Sequence, residues 1–411
     1  SVCSVFFSSE ASAAVSGDAW LFSAVSGFSC GLGSIVHLSF MIVVFPDYTI
    51  SAFPCHLSSS VLYYSMVIFD NGRFGTLVNI QKKLALLVAG LICACTFSIP
   101  GISGAAAGDT AGAPSLVFDS DPGSDDALAL FLMKQRQVVP DLVLATYGNA
   151  PEKQTSSNLV LVLGDLELDL PVYHGADRPW KGKKPRYREP GFNGKDGLLG
   201  LSDTFRDKNE KNGRKLVQPG SLEEAREKLK QHRHITYVAT GPLSTLAALV
   251  QDPDIKSRID HVYILGGQLA APDPETPGEA NFAWDPKAVK IVMESGLDIT
   301  LFPVELTGTQ YIEEEELQNL SRQGTWPEFM DLIRANQAAY AKAGEENAAV
   351  LPAIFPVLYQ LAPEQFAVED RRITVDKNGQ LQENPQGTLV HAVLGVNPRY
   401  QWKALEKSFG Q

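Results

Sequence analysis

The chain has 411 residues, 45% of them hydrophobic and 20% charged, a balance that can fill a core and excludes wholesale disorder. Thirty-five Lys and Arg stand against 47 Asp and Glu, a net charge of −12. With no Lys/Arg stripe to follow a phosphate backbone, no nucleic-acid partner is expected. All five cysteines (Cys3, Cys30, Cys55, Cys93, Cys95) precede residue 108, which excludes disulfides, cysteine-zinc sites and thiol nucleophiles from the rest.

The length exceeds one usual compact core, so one large domain with an appendage is expected. Residues 1–77 are rich in Ser, Phe, Val and Gly and lack periodicity. They read as an upstream extension, disordered or missing from the mature protein. Residues 78–107 have the parts of a secretory signal: Lys82-Lys83, an apolar run from Leu84 to about Phe97, and small residues at Ala105–Ala107. The run is shorter than the roughly 20 residues of a membrane span, so export to the periplasm or medium is expected, without a stable membrane anchor. A lipoprotein anchored through the Ile92–Cys95 stretch is the alternative.

From residue 108 to 411 apolar β-branched runs alternate with amphipathic stretches. Strands are predicted at Ser115–Phe118, Leu142–Thr146, Pro171–Tyr173, His234–Ala239, Val262–Leu265 and Ile299–Val304. Helices are predicted at Asp126–Arg136, Thr155–Leu163, Leu222–Gln231, Leu243–Val250, Pro286–Ser295, Glu313–Asn319 and Trp326–Ala341. A long loop covers His174–Asp203, and short strands, antiparallel in part, follow in Phe366–Asn397. This alternation implies an α/β fold: an open, mostly parallel (mixed) sheet with helices on both faces. In such sheets ligands bind beyond the carboxyl ends of the strands.

Directly after the first of these strands comes Asp119-Ser120-Asp121-Pro122-Gly123-Ser124-Asp125-Asp126. Four carboxylates in eight residues repel one another unless a cation joins them, and oxygen ligands alone select a hard ion such as Ca²⁺ or Mg²⁺. Pro122-Gly123 turns the chain so that Asp121 and the Asp125-Asp126 pair can face one point. The spacing is not that of an EF-hand loop. Helix caps and solvated turn residues would explain one or two of these aspartates, not all four.

LVFDSDPGSDDALAL resembles the metal-binding signature of the inosine–uridine-preferring nucleoside hydrolases, and the similarity continues downstream. It is carried by Ala145–Asn149, Pro171–Ala176, Thr240–Leu243, Ile264–Gly267, Gly278–Asn281 and Asp285-Pro286. The resemblance implies Ca²⁺-dependent hydrolysis of the N-glycosidic bond of ribonucleosides, with release of ribose and free base. It implies that Asp121 is a metal ligand and the general base, that Asp126 and the Thr240 main-chain oxygen are further ligands, and that Asp125, Asn149, Glu279 and Asn281 grip the ribose. Asp273 stands where a 5′-hydroxyl contact is expected. A homo-dimer or homo-tetramer is left open.

Three positions depart from that pattern. Pro352-Ala353 stands where a late His-Asp pair is expected, Asn193 replaces a mid-chain His, and Asp273 replaces an Asn. A shell completed by water, Glu345 or Glu346 would compensate, as would a substrate with a different leaving group. The alternative function is an exported, non-catalytic nucleoside- or ribosyl-binding relative. A haloacid-dehalogenase-like phosphatase is disfavoured by Gly123 and by the extra Asp125-Asp126 pair. Trp180, Tyr187, Phe192, Trp284 and Tyr340 are candidates to stack on a base.

Overall fold

The computed structural model describes residues 4–10, 20–30, 34–46, 64–70 and 114–410, apart from 186, 188–191, 271–277, 325 and 345–346. The chain divides into two compact units, Ser1–Gly108 and Asp109–Gln411. The first holds a sheet of β1 (Ser4–Glu10), β2 (Trp20–Cys30), β3 (Ser34–Pro46) and β4 (Tyr64–Asp70). Neighbours are antiparallel except for the parallel β3–β4 pair. Strand backbone arises here without a period-2 pattern, in segments rich in Val, Ile and Phe, which favour extended chain. The expected signal segment, residues 78–107, lies outside the described residues. Among the described residues no helix is long and apolar enough to cross a membrane.

The second unit opens with β5 (Ser115–Ser120), α1 (Ser124–Gln135), β6 (Leu142–Ala145), α2 (Glu152–Asp165) and β7 (Val172–His174). Next come α3 (Ser202–Lys211), α4 (Leu222–Leu229), β8 (Ile235–Ala239), α5 (Ser244–Leu249), α6 (Pro253–Lys256) and β9 (Ile259–Leu265). Then α7 (Ala280–Trp284), α8 (Pro286–Met293), β10 (Ile299–Phe302), α9 (Val304–Thr307), α10 (Glu314–Ser321), α11 (Pro327–Ala343) and α12 (Ile354–Leu361) follow. The chain closes with β11 (Phe366–Val375), β12 (Leu381–Glu383), β13 (Thr388–Val396) and α13 (Pro398–Phe409).

The sheet runs β12-β11-β13-β10-β9-β8-β5-β6-β7. From β13 to β7 every neighbouring pair is parallel; β11 is antiparallel to both its neighbours. The mixed α/β sheet expected from the alternation is present. Consecutive residues of the central strands feed opposite faces: Phe118 and Val143 pack under α1, α2, α11, α12 and α13, whereas Val117 and Leu142 pack under α4, α5 and α8. Burial on both faces is why β5 and β6 read as continuous apolar runs.

Two boundaries differ instructively. β5 continues through Asp119 and Ser120, so Asp119 is a strand residue whose carboxylate accepts the Tyr237 hydroxyl at 2.7 Å. The predicted strand to Val304 stops at Phe302, because Pro303 cannot donate to the ladder and caps the short helix α9 instead. The chain winds outward from β5 through β6 to β7, then returns to place β8 on the other side of β5. The loops after β5 and β8 therefore part in opposite directions and leave a crevice between them.

Candidate active site

The acidic cluster sits at this crevice. Gly123 caps α1, and the Asp126 carboxylate accepts the Gly123 N–H at 2.8 Å while Asp125 and Asp126 occupy the first turn. The positive end of the helix dipole favours negative charge there. From β8 the Thr240 hydroxyl donates to the other Asp126 oxygen at 2.6 Å, which ties the two strand ends together.

Asp121 is held from β6. Its Oδ2 accepts the Asn149 N–H at 2.7 Å, and the Asn149 side chain donates back to the Asp121 carbonyl at 2.9 Å. Two glycines make room for this carboxylate. A Cβ at Gly241 would lie 2.5 Å from Asp121 Oδ1, and one at Gly148 would overlap Oδ2. Only bare backbone fits on either side.

A cavity of about 360 Å³ opens here, lined by Asp121, Asp125, Asp126, Asn149, Thr240, Glu279 and Asn281. The structure thus brings together every expected site residue except Asp273, which lies outside the described residues along with Glu345 and Glu346. Glu279 caps α7, its carboxylate taking the N–H groups of Gly267, Asn281 and Phe282 at 2.7, 2.9 and 3.1 Å. The Asn281 amide donates to the carbonyls of Thr240 and Leu265 at 2.9 and 3.1 Å, bracing the ends of β8 and β9. Gly267, at φ +83°, allows the turn that follows β9.

Burial dominates the electrostatics. Burial first, then the Asp126 charge, pushes the Asp121 carboxyl well above its ordinary range. The same two causes push Asp125 up to about 8, against the N–H that Ala353 donates to it. Burial also raises Asp126, opposed by the Thr240 hydroxyl, and raises Glu279, opposed by its three main-chain donors. Among the described lining residues none is Lys, Arg or His. Buried carboxylates without a cationic partner are relieved by a proton or a metal ion.

The donor chemistry suits a hard divalent ion: carboxylates of Asp121 and Asp126 and a main-chain oxygen at Thr240, with no sulfur or imidazole. Among the described residues no group of three His, Cys, Asp or Glu side chains is arranged to hold a metal by itself. Water or a sugar diol would therefore complete the shell. Pro352 lines the cavity and the Ala353 N–H donates to Asp125 Oδ2 at 3.1 Å, so this pair does adjoin the acidic cluster, without a ligating side chain.

Asn193 also lines the cavity, its Oδ1 3.4 Å from the Ser124 nitrogen. Phe192 and Tyr340, singled out separately in the sequence, meet edge to face at 4.5 Å on the cavity wall. Tyr187 stays beside the site: its ring lies 5.8 Å from that of Trp284 and its hydroxyl donates to the Ala150 carbonyl at 3.1 Å. Trp180 pins the loop instead, its main-chain N–H donating to the Asp285 carboxylate at 2.5 Å. Asn336, absent from the sequence-based candidates, reaches the wall from α11 and donates to Ser124 Oγ at 3.0 Å. A lone Asn in a long helix gives no local signal.

Comparisons with known proteins agree with this geometry. The family model described as inosine-uridine preferring nucleoside hydrolase matches residues 116–403. A uridine nucleosidase 1 of Arabidopsis thaliana is 31% identical over 212 residues, 50% of this chain and 60% of that protein. A non-specific ribonucleoside hydrolase of Escherichia fergusonii is 25% identical over 68% of this chain and 88% of its own length. Among solved structures, a plant nucleoside hydrolase superposes with a TM-score of 0.64 at 22% identity, covering 72% of this chain and 99% of that one. An inosine-uridine preferring nucleoside hydrolase from Bacillus anthracis gives 0.59 at 19%, covering 72% and 99%. The chain belongs to the inosine-uridine preferring nucleoside hydrolase family, and with it to the hydrolases of ribonucleoside N-glycosyl bonds.

Proposed function

We propose that this chain hydrolyses the N-glycosidic bond of ribonucleosides in a Ca²⁺-dependent reaction, releasing ribose and the free base. One observation carries the reading: three aspartates from the β5–α1 turn, Asp121 and Asp126 buried and Asp125 partly so, share a cavity with Asn149, Glu279 and Asn281 and with no described cationic side chain. Asp121, Asp126 and the Thr240 carbonyl would hold the ion, which when bound supplies an anchor for a sugar diol and acidifies a water.

The protein's own groups do the rest. Asp121 takes the proton of the attacking water, with its carboxylate fixed by Asn149 and by the two glycines. Asp125, Asn149, Glu279 and Asn281 orient the ribose hydroxyls, and Asp273 would meet the 5′ end. Rigid hydroxyl partners convert binding into orientation, which lowers the barrier. The carboxylates also stabilise the positive charge that develops on the sugar as the base departs.

The test is ribose release from inosine and uridine, with and without Ca²⁺. Activity lost on chelation and in Asp121→Ala supports the reading; full activity in either overturns it. Pro352-Ala353 beside the cluster favours a second reading, a binding protein without turnover, which tight riboside binding with no ribose release would establish. Export through residues 78–107 belongs to the same proposal, and N-terminal sequencing of the native protein tests it.

A further inference from the structure

The β12 end of the second unit's sheet is only partly closed. β12 pairs with Ile373–Val375 alone, and the Asn384 N–H extends that cover to the Arg372 carbonyl at 2.9 Å. At the other end of β11 the register against β13 shifts between Ala367 and Val368, so the regular ladder begins at Val368. From Val368 to Arg371 no described strand pairs with the outer side of β11. The side chains there are accessible, Glu369 57% and Asp370 64% exposed.

The hydrogen-bonding phase of this edge is fixed. In an antiparallel ladder a residue turns its N–H and C=O to one side, and the next residue turns its own to the other. The Arg372 carbonyl faces β12, so the main-chain groups of Asp370 and Val368 face outward as well. Asp370 is the middle residue of the stretch 368–372. Two copies related by a two-fold axis at Asp370 would exchange N–H and C=O between their Asp370 residues, and between Val368 of one and Arg372 of the other. The same register sets Glu369 of each copy opposite Arg371 of its counterpart.

Glu369 and Arg371 share one face of the sheet, where Arg371 already reaches Glu369 at 2.5 Å and Glu383 at 2.6 Å. On the other face the His391 ring holds the Asp370 carboxylate at 2.7 Å, back over β13, which keeps the central pair of carboxylates away from the axis. That face also carries Val368 and Leu389, 37% and 43% exposed. Arg372 pairs with Leu389 across the ladder, so its aliphatic stem would lie between its own Leu389 and the other copy's Val368.

Charged side chains on an edge strand ordinarily guard it against pairing. Charges of one sign repel a second copy in every register. Here the signs alternate, and the register dictated by the main chain is the one that sets opposite charges face to face. We propose that residues 368–372 of β11 are a docking edge for a second copy of this chain, which adds its own β11 antiparallel and joins the two sheets into one. The inference does not depend on the N-ribohydrolase reading.

Sedimentation velocity of the full chain from about 1 to 100 μM reads the mass of the particle. Like charges directly opposite destabilise a strand pair. Glu369→Arg and Arg371→Glu should therefore each halve the mass, or raise the dissociation constant at least about tenfold. An equimolar mixture of the two variants should associate again, because each then supplies the charges that the other lacks. The double variant Glu369→Arg/Arg371→Glu exchanges the charges and should associate like the parent. A parent chain that stays monomeric throughout the range overturns the inference, as does unchanged association in both single variants. So does a mixture or a double variant that fails to associate while its circular dichroism matches the parent's.

Discussion

Asn149 grips Asp121 twice, by its N–H to the carboxylate at 2.7 Å and by its side-chain amide to the Asp121 carbonyl at 2.9 Å. The general base proposed here is therefore aimed by a residue on the neighbouring strand's loop. Asn149→Ala should lower kcat by about a hundredfold, since misplacing a reacting group by about 1 Å costs that much. Asp121→Asn should lower it by at least about a thousandfold. Steady-state ribose release with circular dichroism as a folding control checks both.

The glycines around Asp121 make a second prediction. Gly241→Ala places a methyl 2.5 Å from Asp121 Oδ1, so the carboxylate must move. A folded protein with roughly a hundredfold lower kcat/KM and weaker Ca²⁺ binding by calorimetry is expected. Unaltered binding and turnover would show that Asp121 does not need this cradle.

The raised carboxyls give the protein a pH signature. Burial pushes Asp119 and Asp125 each up to about 8, whereas both sit near about 4 in the unfolded chain. The folded state then holds more protons than the unfolded state between those values. Their contribution to stability is fully present below about pH 4 and is lost as pH rises through about 8. Chelator-treated protein should therefore melt at a lower temperature near pH 8 than near pH 5, and Ca²⁺ should restore the midpoint near pH 8. A midpoint that rises over that interval in chelator would contradict the assignment.

Away from the site, Lys208 joins the fully buried Asp165 side chain at 2.8 Å and Glu328 at 2.5 Å, linking α2, α3 and α11. Lys208→Met strands a buried carboxylate and should cost about 3–5 kcal/mol in urea unfolding. Replacing Asp165 by Leu in that background should recover most of it.

Much of the site was legible because its residues follow strands whose burial marks them in sequence. Asp121, Asn149 and Thr240 each come just after an apolar run, and Glu279 and Asn281 follow Gly266-Gly267 after another. What stayed hidden lacks that flanking signal. α3, with sequence SDTFRDKNEK, is almost all polar and buries only Ser202, Phe205 and Asn209, so its pattern predicts no element there. Asn336 is one amide in a 17-residue helix, and its place on the cavity wall depends on how α11 crosses α1. The pairing of Phe192 with Tyr340 joins residues 148 positions apart and could not be read from either neighbourhood. The net acidity of the whole chain also hides a local excess of the other sign, since Arg178, Lys181, Lys183, Lys184, Arg186 and Arg188 fall within one stretch of sequence.

The strand order also sets when the enzyme can first work. β8 docks beside β5 only after more than a hundred intervening residues have been made, and it delivers Thr240 to Asp126. A nascent or proteolysed chain ending before residue 235 keeps all its aspartates at the first turn yet has no opposing strand end to close the crevice. Such truncated forms carry the signature sequence without Thr240, Glu279 or Asn281, so the site is completed only as the later strands and their loops are added.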